Sequence, residues 1–127
     1  MEPDLEKVLA KIRNAQLPDF DGVDAKLENP NESGLFGTTP LHVVAIWGDV
    51  ESARILLDNG AEIDVSAEED HTALHEAISQ GHLEMVRLLI SRGADLKRKC
   101  SFGNAIELAD LGESEEIKKL VRGNASQ

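Results

Sequence analysis

The sequence predicts an all-α solenoid of stacked helical hairpins, with an N-terminal capping helix and a degenerate C-terminal capping unit. Two observations predict it. An offset of 33 residues places Thr39 on Thr72, Leu41 on Leu74, His42 on His75, Gly48 on Gly81, Leu56 on Leu89 and Gly60 on Gly93. Within each unit, apolar residues recur at helical spacing between a cap-forming Thr and helix-stopping glycines. A hairpin with one apolar face cannot bury that face alone, so the units must stack.

Leu5, Val8, Leu9 and Ile12 have the spacing of an amphipathic helix that starts near Asp4 and ends before Pro18. Residues 17–36 contain Pro18, Gly22, Pro30 and Gly34 among many acids, and read as a long connector with a short helical turn around Val23 to Leu27. The first repeat, 37–69, opens with Thr39 as N-cap and Pro40 at the first helical position, where a missing N–H costs nothing. Leu41, Val44 and Ala45 form its buried stripe, Gly48 stops the helix, and a second helix follows over Val50 to Leu57.

The second repeat, 70–102, repeats the plan with Thr72, then Leu74, Ala77 and Ile78, then Gly81, and a second helix over Leu83 to Ile90. It carries Asp70 and Ala73 where the first has Gly37 and Pro40, which weakens its turn. After the second helices, Ala61 to Val65 and Ala94 to Lys97 are expected to run outward in extended form. Residues 103–122 look like a third, degenerate unit that lacks the Thr and His and whose Gly112 falls two residues short of the period. The whole chain, 1–127, is expected to form one domain.

Gly37-Thr38-Thr39-Pro40-Leu41-His42 is an opening motif, and Asn59-Gly60-Ala61-Glu62-Ile63-Asp64 and Arg92-Gly93-Ala94-Asp95-Leu96 are closing motifs. On these residues the chain resembles the ankyrin repeat family, strongly over 37–99. The resemblance implies that the His42 and His75 imidazoles hydrogen-bond across neighbouring turns and that His82, where the family commonly has His, plays a capping role. It also implies docking on a concave face made by the turn tips and the last residues of each first helix. Carried over position by position, that face comprises Leu35, Phe36, Thr38, Ile46, Trp47, Glu68, Glu69, His71, Ser79 and Gln80. The third unit adds Ser101, Phe102, Asn104, Asp110 and Leu111.

Composition narrows the function. The formal charge of −11, from 24 acids and 13 bases, disfavours nucleic acid and anionic membranes as partners; a basic protein fits better, although an acidic surface also serves solubility. A lone cysteine, Cys100, forms no internal disulfide and suits a reducing compartment; with no apolar run long enough for a signal or a membrane span, a cytoplasmic location is expected. No phosphate loop, nucleophile elbow or paired-cysteine metal motif occurs, so no enzyme activity and no cofactor are expected. His71 and His75 have the four-residue spacing of metal ligands on a helix, with Glu76 adjoining, but His71 precedes the helix and His75 has a structural task, so no metal site is expected.

Two surface features remain. Trp47, the chain's only Trp, sits with Ile46 and Phe36 where a partner would dock, and aromatic anchors of this kind dominate binding energy. Burial of Trp47 against Phe20 or Leu35 by a folded-back connector is the alternative. Glu62, Asp64, Glu68, Glu69 and Asp70 place five acids within nine residues, able to steer a basic partner or simply to solvate a turn. Lys97, Arg98 and Lys99 follow in the next turn.

The expected function is therefore a non-catalytic module, monomeric when free, that masks or inhibits a partner protein. The resemblance to small free-standing ankyrin proteins of bacteria suggests an immunity protein that neutralises a toxin. An accessory subunit protecting a stress-response enzyme, or a self-associating structural unit, are the alternatives.

Overall fold

The computed structural model describes residues 3–20 and 27–125. Among them are seven α-helices: α1 (Pro3–Asn14), α2 (Pro40–Trp47), α3 (Val50–Asp58), α4 (Ala73–Gln80), α5 (Leu83–Ser91), α6 (Ala105–Leu111) and α7 (Glu115–Ala125). Helices α2 and α3, α4 and α5, and α6 and α7 form three hairpins. An inner row packs α2 on α4 on α6, and an outer row packs α1 on α3 on α5 on α7. Helix α1 thus stands where the second helix of a preceding repeat would stand.

Local chemistry starts and stops each hairpin as the repeat requires. The Thr39 and Thr72 hydroxyls accept from the backbone N–H of His42 and His75, and each imidazole accepts in return from the threonine N–H. Gly48 ends α2 in the left-handed region at φ 74°, and the His82 ring lies 2.9 Å from where a Cβ would sit. Any side chain there would meet both a strained backbone and a packed ring.

The core is aliphatic, as the near absence of aromatics demands. Leu9, Ile12, Leu41, Leu56, Leu74, Met85, Leu89 and Val121 are essentially fully buried. All four predicted stripe residues of α1, Leu5, Val8, Leu9 and Ile12, are buried. Lys11 of α1 also donates to Asp49, the N-cap of α3, at 2.7 Å.

Three expectations change. The described part of the connector is not irregular: from Leu27 it keeps the register of a repeat turn. Leu27 adopts φ 53° where the next unit has Gly60 at φ 94°, and Asn31 Oδ1 accepts from Glu62 N–H as Asp64 Oδ1 accepts from Asp95 N–H. The left-handed conformation costs Leu27 about 1–2 kcal/mol, and burying its side chain to 1% exposure offsets that by a similar amount. Residues 21–26, where most of the expected helical turn falls, lie outside the described residues; Leu27 itself is not helical.

The segments expected to be extended instead contain turns, at Ile63–Asp64 and Leu96–Lys97. In the second, the Asp95 carboxylate accepts from Lys97 N–H two residues on and folds the chain locally, while the Asp64 carboxylate accepts from Asp95 N–H and ties one turn to the next. The third unit is a complete hairpin reaching Ala125. Asn104 and Glu107 replace the missing Thr and His as a reciprocal cap on α6.

Candidate partner-binding face

The turn tips precede each inner helix and are held from two sides. In the first, Thr38 N–H donates to the Leu35 carbonyl and Gly34 N–H to the Thr38 carbonyl at 2.7 Å; His71 and Ala67 make the same pair in the second. This clasp holds Phe36 (φ 63°) and Glu69 (φ 60°) in the left-handed region. Such strain persists only where surrounding bonds over-determine it. Phe36 consequently projects outward, 62% exposed, with Leu35 beside it at 42%.

Ile46 and Trp47, the last two residues of α2, each keep 38% of their surface open. Of the two alternatives for Trp47, this exposure favours the open side chain over burial beneath a folded-back connector. Between the first two tips and helices α2 and α4 lies a groove with a cavity of about 250 Å³, lined by Thr38, Ile46, Glu68, Glu69, His71 and Glu76 with His42 and Ala67. Phe102 of the third tip, 58% exposed, extends this face; its ring lies 5.8 Å from that of His71.

Several predicted members take other places. Thr38 reaches the groove wall but is buried at 8% exposure, because its backbone closes the tip. Asn104 is engaged in capping α6. Ser79 and Gln80 are exposed, but they line a separate depression of about 200 Å³ between the α4 end and the α6–α7 turn. Ser101 is tied through its N–H and hydroxyl to the Glu69 carbonyl, Asp110 pairs with Arg122, and Leu111 stands 74% exposed.

The histidines divide by role. His42 Nδ1 accepts from Thr39 N–H and its Nε2 donates to the His71 carbonyl at 3.0 Å; His75 does the same with Thr72 and the Arg98 carbonyl. Both rings are thus neutral Nε2–H tautomers, and burial pushes both pKa values down. With both nitrogens committed, His75 offers no lone pair to a metal. The His82 side chain does not cap its own helix α5; its ring reaches back and donates to the Ile46 carbonyl at 2.9 Å, capping the end of α2 that carries Trp47.

Three members of the groove, His42, Ala67 and Glu76, lie outside the predicted face, and Glu76 is the charged one among them. It shares a helical face with Ser79 and Gln80, at i, i+3 and i+4, and that spacing was the available signal. Its side chain is only 21% exposed; burial raises its pKa, and His71, 3.9 Å away, partly opposes that rise.

The family model for ankyrin repeats, in three copies, matches residues 10–100. The chain belongs to the ankyrin repeat family. Its members are generally protein–protein interaction modules and typically non-catalytic. The match begins within α1 and runs through the turn at 27–36, in agreement with the repeat register found there. The chain is also similar to Rabankyrin-5 of Homo sapiens and of Mus musculus, at 44% identity over 46 residues in each. That segment is 36% of this chain and 4% of either relative, so the chain spans a small fraction of the curated relatives it matches. Among the described residues, no helix is long and apolar enough to cross a membrane.

Proposed function

We propose that this ankyrin-repeat chain binds and masks a basic partner protein through the groove flanked by Phe36, Ile46, Trp47 and Phe102, without catalysing a reaction. The observation that carries the reading is the open aromatic and aliphatic surface on the tips and the end of α2, set beside the acids of the second tip. Exposed aromatics next to an acidic rim supply an apolar anchor and electrostatic steering in one place. The net charge of −11 favours a basic partner, met by a chain that is cytoplasmic and monomeric when free. The sharpest form of masking is an immunity protein covering the active site of a toxin, and it requires that the partner be toxic when expressed alone.

The test is affinity capture from the native organism with wild-type bait and a folded Trp47→Ala, Glu69→Lys bait. A basic protein retained by wild type and lost by the variant supports the reading. Equal recovery by both baits, or recovery by neither, refutes the assignment of this face.

A further inference from the structure

The partner-binding reading leaves open what enters the cavity between the first two tips. We propose that it takes one arginine side chain of the partner, with the guanidinium meeting Glu76 and the acids of the second tip; this rests on the reading above. A cavity of about 250 Å³ is smaller than the roughly 300–1,000 Å³ of pockets that hold whole small molecules. It has room for a single long side chain.

Charge complementarity selects the kind of side chain. Three acidic residues, Glu68, Glu69 and Glu76, line the cavity, and among the described residues no Lys or Arg does. The ion-pairing neighbour of Glu76 among the described residues is His71, whose Nδ1 is 3.9 Å from the carboxylate and 3.3 Å from the Glu68 carbonyl. Burial raises the Glu76 pKa, so water and His71 together compensate its charge less well than bulk water would. An entering cation supplies that compensation.

Shape then favours arginine over lysine. Ile46 and Ala67 provide apolar wall for a hydrocarbon stem. A guanidinium is planar and weakly hydrated and can donate to two carboxylates at once, whereas an ammonium holds its water tightly.

The test is an NMR titration of the labelled whole chain with three probes: Nα-acetyl-arginine amide, its lysine counterpart and its uncharged citrulline counterpart. Saturable shifts confined to Ile46, residues 67–69, His71 and Glu76 are expected for arginine. Lysine should bind about tenfold more weakly, and citrulline should give no saturation. Glu76→Gln should weaken arginine binding about tenfold, the order of one lost charge-assisted contact, and Glu84→Gln on the outer helix α5 should not. Glu68→Gln, on the exposed tip, provides an independent loss if Glu76→Gln disturbs the amide spectrum. Equal binding of lysine, unchanged binding by both groove variants, or shifts scattered over the acidic surface would overturn the proposal. No partner is used, so failure here is separate from failure of the capture experiment.

Discussion

Asp70 occupies the left-handed region at φ 62°, where the first repeat has Gly37 at φ 78°. An L side chain pays about 1–2 kcal/mol for that conformation, against which the extra unfolded-state entropy of glycine weighs about 0.5–1 kcal/mol. Asp70→Gly is therefore expected to stabilise the fold by up to about 1 kcal/mol, read as a higher denaturant midpoint; a lower midpoint would contradict this. At the inner ends of the same turns, His42 and His75 are held neutral. Their folded pKa values lie below the ordinary 6.5, so the unfolded chain binds more protons as pH falls. Stability is present above pH 6.5 and lost as the pH drops from there through the folded values. Glu76, with its raised pKa, acts in the opposite sense in the carboxylate range. Unfolding measured from pH 7.5 downward should show the loss setting in near pH 6.5, and imidazole signals of His42 and His75 should stay neutral below it. A stability that is flat through this range would count against the buried neutral tautomers.

At the scale of elements, three inner helices are started by reciprocal caps that use different residues: Thr39 with His42, Thr72 with His75, and Asn104 with Glu107. Asn104→Ala should cost about 1 kcal/mol and loosen the last hairpin, seen as faster amide exchange in α6 and α7 than in α4; uniform exchange would argue against the cap. The first two caps and the glycine stops were legible because their residue types recur at a fixed offset. The third was not, since Asn and Glu perform the same hydrogen bonding without matching the motif. The turn at 27–36 was hidden for a related reason. Leu27 stands where the later units have glycine, and it is kept left-handed by burial, a tertiary gain that no local pattern displays. The site was legible as positions rather than as roles. Phe36, Trp47 and Glu69 are where the repeat plan puts them, but the closure of Thr38 into its tip and the turning of Glu76 into the groove depend on packing between α2 and α4.

At the scale of the whole molecule, stacking in two rows separates tasks. In the outer row, ion pairs join α1 to α3 through Lys11 and Asp49 and α3 to α5 through Asp58 and Arg92, while the tips and inner helices present the groove. Among the described residues, Phe36, Trp47 and Phe102 stand exposed with Leu35, Ile46 and Leu111, while the other large apolar residues are buried or half-buried; exposed apolar surface of this kind supports the partner-binding proposal. In the proposed function, Trp47 is an anchor of binding rather than a pillar of the fold. The direct measurement is the affinity of the captured partner for wild type and for Trp47→Ala, taken together with the melting temperature of each free chain. An affinity loss of about 2 kcal/mol, or roughly thirtyfold, is expected, with little change in melting temperature. A melting temperature that drops while affinity holds would contradict it.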